Sequence, residues 1–241
     1  MTDLRAAIFG ASGGIGAALV AQLESSGRYD YIHAGARSLP RTWSPRTVPF
    51  CFDLEDEASI TGASQEIGEA GPLDLVIVAT GILHREDWIA PEKSWRAIDA
   101  EAMAKLFAIN TIGPAIIAKH ILPLMRRNSR CVFATLSARV GSIADNQLGG
   151  WHSYRASKAA LNMLIRNFAI ELSARNPLGI VAAIHPGTAQ TPLSNSFIRN
   201  IPEGKIFQPE QSAAHILSVI DKLSARDSGG LFAWNGERIP Y

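Results

Sequence analysis

The beginning of the chain constrains the fold more than any other stretch. A short apolar run, Ala6-Ala7-Ile8-Phe9, leads into Gly10-Ala11-Ser12-Gly13-Gly14-Ile15-Gly16, and a helical pattern follows over residues 17–26. The glycines let the backbone turn tightly and approach an anion, and a helix start offers unpaired N–H groups. Strand, glycine turn and helix in this order favour a nucleotide-phosphate site over the alternative, a plain turn.

Strand-like and helical segments alternate along the rest of the chain. Strands are predicted at residues 6–9, 31–34, 48–52, 73–79, 130–136, 180–184 and 231–234, and helices at 17–26, 55–70, 99–127, 154–171 and 209–223. This alternation predicts an α/β fold of the Rossmann type, a doubly wound parallel sheet of seven strands with helices on both faces. Residues 1–241 are predicted to form a single nucleotide-binding domain, with a substrate loop at about 188–204.

Two charged residues that follow the glycine turn in the sequence are candidates for contacts with the nucleotide. In a dinucleotide fold, an acidic residue about 20 positions after the glycines binds the ribose 2′-hydroxyl, whereas an arginine suits a 2′-phosphate. Here the second strand ends in Arg37, which favours NADP over NAD; the alternative is a solvated arginine on a loop. Asp53, after the third strand, can accept a hydrogen bond from adenine or cap the next helix.

The helix predicted from Tyr154 carries the pattern Tyr154-Arg155-Ala156-Ser157-Lys158. Four residues make about one helical turn, so the phenol and the ammonium lie on one face. A nearby cation favours the phenolate and lowers the pKa of a tyrosine, which could then donate or accept a proton at a substrate oxygen. The alternative is an aromatic–aliphatic contact on an exposed helix.

Composition excludes several other classes of protein. The chain has 241 residues, 47% of them hydrophobic and 19% charged, with a net charge of +1. No basic stripe suggests nucleic acid as a partner, and the histidines show no metal-ligand spacing. Cys51 and Cys131 are predicted to be buried free thiols. We expect neither a signal peptide nor an apolar run long enough to cross a membrane, and therefore a cytoplasmic location.

Taken in order, these motifs resemble the short-chain dehydrogenase/reductases over nearly the whole chain. Within that family the sequence is similar to the C-factor and sniffer-type carbonyl reductases, in segments such as Gly141-Ser142-Ile143, Gly149-Gly150, His185-Pro186-Gly187-Thr188 and Trp234-Asn235-Gly236. The resemblance implies catalytic roles for Tyr154, Lys158, Asn110 and Ser137. It also implies cofactor contacts from Gly10, Ser12, Gly14, Ile15, Gly16, Arg37, Asp53, Leu54, Ala79, Thr80, Gly81, Tyr154, Lys158, Pro186, Gly187, Thr188 and Thr191.

The sequence departs from the family pattern in two places. After the fourth strand, Val78-Ala79-Thr80-Gly81 replaces the common Asn-Asn-Ala-Gly. The family's catalytic serine is expected three residues before Gly141, where this chain has Ala138. The adjacent Ser137 can replace it only if the backbone bulges, because neighbouring strand residues point to opposite faces.

The resemblance implies an NADPH-dependent oxidoreductase that interconverts a carbonyl and an alcohol. Tyr154 would exchange the proton, Lys158 would hold the nicotinamide ribose and lower the Tyr154 pKa, and Asn110 would fix a water. The first alternative is an NADP-binding signalling or interaction protein, favoured by the alanine at 138. A sugar-nucleotide epimerase is less favoured, because only about 50 residues follow His185 for a substrate domain.

The sequence leaves the substrate open. Apolar side chains in and near the substrate loop suggest an apolar pocket or ordinary core packing; they are Leu193, Phe197, Ile198, Ile201 and Phe207. By analogy with the family, we expect a homodimer or homotetramer.

Overall fold

The chain folds into a central sheet that is covered by helices on both faces. The structure is a computed structural model, and it describes residues 3–39, 44–85, 88–191 and 206–241. The strands are β1 (Arg5–Phe9), β2 (Tyr31–Ala36), β3 (Thr47–Cys51), β4 (Leu75–Val78), β5 (Cys131–Leu136), β6 (Gly179–His185), β7 (Thr188–Ala189), β8 (Ile206–Phe207), β9 (Leu231–Ala233) and β10 (Arg238–Ile239). The helices are α1 (Gly14–Ser26), α2 (Glu57–Ala70), α3 (Ala100–Phe107), α4 (Gly113–Ile121), α5 (His152–Arg175) and α6 (Pro209–Lys222). A π-helical segment, Ala108–Ile112, joins α3 to α4.

The main sheet has the strand order β10-β9-β6-β5-β4-β1-β2-β3. All neighbouring pairs are parallel except β10 with β9, which is antiparallel. This confirms the doubly wound α/β fold. The sheet has eight strands, one more than the seven predicted, because Arg238–Ile239 turns back along β9 as a two-residue edge strand.

Alternation along the strands builds one core on each face of the sheet. In β1, Ile8 packs in the core beneath α1 and α6, whereas Phe9 packs in the core beneath α2, α4 and α5. Both side chains are completely buried. Successive strand residues point to opposite faces, so a parallel strand covered on both sides must be apolar where it is covered, as β4 is throughout and β1 is after Arg5.

The strand order reverses beside β1, and this reversal places the site. The chain runs outward from β1 to β3, then returns to β4 on the other side of β1. Loops that leave β1 and β4 therefore separate at their carboxyl ends and open a crevice between them. In open α/β sheets this crevice is where ligands bind.

Two expectations from the sequence are corrected by the structure. Cys131, in the interior strand β5, is a buried free thiol, but Cys51 is exposed, because it ends the edge strand β3, where fewer neighbouring elements cover the side chains. The helical stretch Ala100–Leu124 does have the length and composition of a membrane span, although half of its most apolar window is buried in the fold. A core helix of this kind passes the same test, so the stretch is weak support for a membrane location.

The expected substrate loop at 188–204 lies largely outside the described residues. The structure does not describe Leu193, Phe197, Ile198 and Ile201. It does describe the two segments that flank the undescribed part of the loop. Thr188–Ala189 pairs in parallel with Ile206–Phe207, so β7 and β8 hold the two ends of this segment side by side.

Candidate active site

The turn after β1 is built around contacts that only glycine allows. Gly10 has a left-handed φ of 95°, and its N–H donates to the Gly35 carbonyl at 2.9 Å. A Cβ on Gly16 would lie 2.0 Å from the Gly10 oxygen, so α1 can pack directly on the turn only because position 16 is glycine. Gly13, the residue before α1, makes no side-chain cap, and the first turn of α1 contains no acidic residue. The N–H groups at this helix start are therefore suited to an anion from outside.

Two cavities open at the carboxyl ends of β1 and β4 and share part of their walls. The large cavity, of about 670 Å³, is lined by Ser12, Gly13, Gly14, Ile15, Gly16, Arg37, Ala79, Thr80, Gly81, Ile82, His84, Arg85, Leu136, Ser137, Tyr154, Lys158, Pro186 and Thr191. The small cavity, of about 220 Å³, is lined by Gly10, Ser12, Gly13, Ala36, Arg37, Phe52, Asp53, Leu54, Glu55, Ala79, Thr80, Gly81, Ile82, Arg85 and Ile109. The structure thus brings together most of the residues predicted from the sequence.

The walls of both cavities fit a dinucleotide. The hydroxyl of Thr80 is buried without a hydrogen-bond partner in the described structure, which leaves a polar group available to a ligand. Asp53 does not cap α2, since that role belongs to Asp56. Among the described residues, the Asp53 carboxylate accepts a hydrogen bond only from the Glu55 N–H, at 3.0 Å. Arg37 is exposed, and no ion pair or side-chain hydrogen bond engages it within the described part of the chain. Both charged groups are therefore free to contact a ligand.

Tyr154 and Lys158 lie one turn apart on α5 and face the large cavity. Tyr154 is 9% exposed and Lys158 is 4% exposed. The Lys158 ammonium donates to the Leu136 carbonyl at 3.0 Å and lies 5.9 Å from the centre of the Tyr154 ring. A Cβ on Gly141 would lie 2.8 Å from Lys158 Cβ, so this glycine lets the turn after β5 press against α5.

Burial dominates the acid–base properties of this pair. It raises the pKa of the Tyr154 phenol above its ordinary value of 10.0 and lowers the pKa of Lys158 to about 8. The direction for Tyr154 is opposite to the one expected from its pairing with Lys158. The reason is that both groups lie out of water, where the neutral form of each is favoured.

Asn110 lies behind the cavity wall, in the π-helical segment, and is fully buried. Its side-chain amide makes two hydrogen bonds with the backbone of Ile82, at 2.8 and 2.9 Å, and donates to the Ser157 hydroxyl at 3.2 Å. A Cβ on Gly81 would lie 3.2 Å from Asn110 Oδ1 and 3.4 Å from Lys158 Nζ. Asn110 therefore fixes the segment after β4 against α5, and a π-helical turn at such a position is common in functional sites.

Ser137 and Ala138 follow β5 without the bulge that a serine shift would require. The ladder to β6 is continuous through Leu136, and Ala138 is extended, with φ −144° and ψ 144°. Ala138 packs in the same apolar cluster as Tyr154. The Ser137 hydroxyl, 4% exposed by residue, donates to Asn162 Oδ1 at 2.7 Å. Ser137 thus lines the large cavity, but its proton is already given to Asn162.

The segment after β6 contributes Pro186 and Thr191 to the large cavity, whereas Gly187 and Thr188 do not line it. Gly187 has a φ of 78°, and a Cβ there would lie 2.5 Å from the Phe207 ring. The glycine therefore allows the turn to pack beneath β8, and Phe207 serves as packing at that point.

Three residues near the site were missed by the sequence analysis. His84 and Arg85 follow Gly81 and line the large cavity. Glu92 is a buried acid, 6% exposed, that contacts the start of α5. His84 and Arg85 could have been found by extending the predicted cofactor segment after β4 beyond Gly81. The contact of Glu92 with Ser153, 61 positions away, has no local sequence signal.

Comparison with known proteins decides the family. The model of the short chain dehydrogenase family matches residues 5–201. The chain belongs to the short-chain dehydrogenases. This confirms the resemblance seen in its motifs.

Individual relatives of this short-chain dehydrogenase include a curated protein and two solved structures. The chain is 34% identical over 172 residues to C-signal of Myxococcus xanthus, covering 71% of this chain and 94% of that protein. The NADPH-bound carbonyl reductase from chicken fatty liver is 25% identical, with a TM-score of 0.84 and coverage of 100% and 96%. Carbonyl reductase Sniffer of D. melanogaster shares the fold at 20% identity, with a TM-score of 0.84 and full coverage of both chains.

Proposed function

We propose that this short-chain dehydrogenase is an NADPH-dependent carbonyl reductase that uses Tyr154 as its acid. One observation carries the proposal: Tyr154 and Lys158 line the same cavity as the glycine turn at the start of α1. An anion site and a proton donor that share one crevice suit a reaction between a phosphate-bearing cofactor and a small molecule. The NADPH-bound carbonyl reductase from chicken supports the same assignment.

The proposed cofactor site extends along both cavities. The pyrophosphate would lie at the Gly14–Gly16 helix start, the adenine beside Asp53 and Leu54, and the 2′-phosphate beside Arg37. The wall formed by Ala79, Thr80 and Gly81 would support the ribose with Lys158, and Pro186 and Thr191 would border the nicotinamide. Gly187 and Thr188, which do not line the cavity, would shape the turn that carries these two residues. When bound, NADPH supplies the hydride for the reaction.

The acid–base state of Tyr154 suits its proposed role as proton donor. Because burial raises its pKa, the phenol holds its proton at neutral pH and can give it to an oxygen that gains charge as the carbonyl is reduced. The side-chain amide of Asn110 is occupied by Ile82 and Ser157. A water that relays protons would therefore use the second lone pair of Asn110 Oδ1. This oxygen and Lys158 Nζ both lie near Gly81, at 3.2 and 3.4 Å from the position of a Cβ there.

Ser137 would orient the substrate carbonyl only after a change in its own hydrogen bonding. Its hydroxyl would have to turn from Asn162 toward the cavity that it lines. Ser137→Ala tests this role: a fall in kcat with an unchanged NADPH affinity supports it. Full kcat in that variant would show that the carbonyl is held without Ser137.

Calorimetry with NADPH and NADH in parallel tests the cofactor, and Tyr154→Phe tests the chemistry. We expect tighter binding of NADPH, and we expect Arg37→Ala to remove that preference, because it deletes the cation proposed for the 2′-phosphate. Tyr154→Phe should abolish reduction of an electron-poor probe such as 4-nitrobenzaldehyde, with NADPH affinity within about twofold of wild type. Wild-type turnover in this variant would exclude Tyr154 as the acid, and equal binding of both nucleotides would refute the role of Arg37.

A second candidate function is an NADP-binding signalling or interaction protein. The alanine at position 138 removes the hydroxyl of the family pattern, and C-signal is among the relatives. Retention of both Tyr154 and Lys158 favours the enzyme, because binding alone does not need the phenol. Wild-type protein that binds NADPH but reduces no carbonyl would favour this second function.

The substrate class and the surroundings of the protein follow as part of the proposal. Tyr154 lies in an apolar cluster with Leu83, Leu106 and Ala138, which suits a carbonyl compound with an apolar body. The cytoplasmic location and the homodimer or homotetramer stay predictions.

A further inference from the structure

The helix that carries Tyr154 begins without a cap of its own. Trp151, the residue before α5, is left-handed, with φ 52° and ψ 41°, and makes no side-chain cap bond. The first turn of α5 contains no acidic residue. First-turn N–H groups have no partner inside a helix, and Ser153 in this turn is fully buried, so an acceptor must come from elsewhere.

Glu92 supplies that acceptor from a loop 61 residues earlier in the chain. Each of its carboxylate oxygens lies 3.3 Å from the Ser153 N–H, and the Ser153 hydroxyl donates to one of them. The backbone carbonyl of Glu92 accepts from the Trp151 N–H at 2.6 Å. Gly150, whose left-handed φ of 66° favours glycine, precedes Trp151 in this turn, and a Cβ there would make only an ordinary contact, at 3.4 Å, with the same carbonyl oxygen.

The Glu92 carboxylate forms no ion pair with the residues that the structure describes. Glu92 is 6% exposed, and no lysine or arginine of the described ranges forms a salt bridge with it. A buried carboxylate is costly unless hydrogen bonds and favourable dipoles replace water. The donors at the start of α5 and the positive end of the helix dipole provide both, so the site can hold a buried carboxylate.

The same contacts hold two residues next to Tyr154, one adjacent in the chain and one packed against its ring. Ser153 precedes Tyr154 directly, and Trp151 packs edge-to-face against it, with ring centres 6.3 Å apart and an interplanar angle of 72°. Glu92 holds Ser153 through its side chain and Trp151 through its backbone. We therefore expect a displacement of Glu92 to move Tyr154, whose phenol faces the large cavity.

We propose that Glu92 is a positioning residue for catalysis, which caps α5 from a distant loop and thereby fixes the Tyr154 phenol at the large cavity. The inference rests on the proposed function, because its catalytic consequence requires Tyr154 to be the acid. Glu92 lines neither cavity, so its role is separable from cofactor binding.

The test compares Glu92→Ala and Glu92→Gln with wild type in two measurements. Amide hydrogen exchange in the peptide that covers residues 151–158 reports the cap, and kcat for 4-nitrobenzaldehyde at saturating NADPH reports the acid. We expect Glu92→Ala to speed exchange and to lower kcat about ten- to hundredfold, because a misplacement of about 1 Å costs that much. NADPH affinity should stay within about twofold, and Glu92→Gln, which keeps an acceptor, should recover most of kcat.

Asp227→Ala is a matched control. The Asp227 carboxylate also accepts the N–H and the hydroxyl of one serine, Ser224, at 2.9 and 2.7 Å, but in a turn remote from Tyr154. The Asp227→Ala variant should have a lower melting temperature than wild type and an unchanged kcat. Wild-type kcat in folded Glu92→Ala, or unchanged exchange, would overturn the proposal.

A second variant covers the case in which Glu92→Ala does not fold. Ser153→Ala removes one donor to Glu92, and we expect a smaller fall in kcat with NADPH affinity kept; an unchanged kcat would overturn the proposal. Wild-type protein that binds NADPH but transfers no hydride would instead refute the proposed function. The catalytic role of Glu92 would then fall with it, and exchange would report only the cap.

Discussion

The substitution Gly16→Ala tests the architecture of the cofactor turn most directly. A Cβ at this position would lie 2.0 Å from the oxygen and 2.8 Å from the carbonyl carbon of Gly10. Carbon and oxygen atoms do not approach this closely without bonding, so the start of α1 has to move away from the turn by about 1 Å. Both obstructing atoms are backbone, so no side-chain rotation can relieve the contact.

The expected cost is large for a single methyl group. Overpacking in a well-packed site costs about 1–3 kcal/mol, and a clash with backbone belongs at the upper end. For a chain of this size, about 3 kcal/mol lowers the melting temperature by roughly 6–12 °C. The displaced N–H groups also lose hydrogen bonds to the cofactor phosphates, so NADPH affinity should fall about 10- to 100-fold.

Differential scanning calorimetry and NADPH titration measure the two effects, and Gly62→Ala is the control. Gly62 is also a helical glycine, but nothing lies within 4 Å of its added Cβ. That variant should be as stable as wild type or more stable by about 0.5–1 kcal/mol, because alanine is the better helix former. Wild-type stability and NADPH affinity in Gly16→Ala would refute the claim that the close approach of α1 to the turn requires glycine at position 16.

Three further predictions concern the catalytic wall. Gly81→Ala places a Cβ 3.2 Å from Asn110 Oδ1 and 3.4 Å from Lys158 Nζ, so kcat should fall about tenfold in steady-state assays; wild-type kcat would contradict this contact. Ala138→Ser adds a hydroxyl in the cluster that holds Tyr154 and should raise kcat up to about tenfold, the worth of one hydrogen bond; no gain would show that the position does not reach the carbonyl. The folded pKa of Lys158, about 8, lies below its ordinary 10.5, so the unfolded state binds more protons between these values and stability rises with pH there. Urea unfolding should show a gain on the order of 2 kcal/mol between about pH 7.5 and 9.5 that is absent in Lys158→Met, and equal slopes for both proteins would refute the lowered pKa of the buried lysine.

The fold was predictable because each local pattern agreed with the sheet. The apolar run before Gly10 and the continuous run before Thr80 both became central strands, with their loops on the same edge. β10 escaped prediction because two residues, Arg238–Ile239, are too short for a period, and their pairing is set by β9. The exposure of Cys51 was equally invisible, since sequence does not say which strand lies at the edge.

The site was predictable where its chemistry lies within one turn or one helix. Tyr154 and Lys158 needed only helical spacing to be placed together. The pKa direction of Tyr154 could not be found that way, because burial depends on Leu106, Ala138 and other residues distant in sequence. Glu92 is the extreme case, because its partner is known only after the chain has folded.

These long-range contacts bear on how this site would act without the usual serine. Ala138, which packs in the same apolar cluster as Tyr154, offers only a methyl group, and the nearby Ser137 proton is engaged by Asn162. A carbonyl bound there receives less help from a second donor, so more depends on the placement of the Tyr154 phenol. The phenol in turn depends on the start of α5, which Glu92 holds through Ser153 and Trp151. A site with one proton donor tolerates less displacement than a site with two, so we expect Ala138→Ser to lessen the kcat defect of Glu92→Ala in the double variant. Independent, multiplicative effects on kcat would show that the cap and the missing hydroxyl act separately.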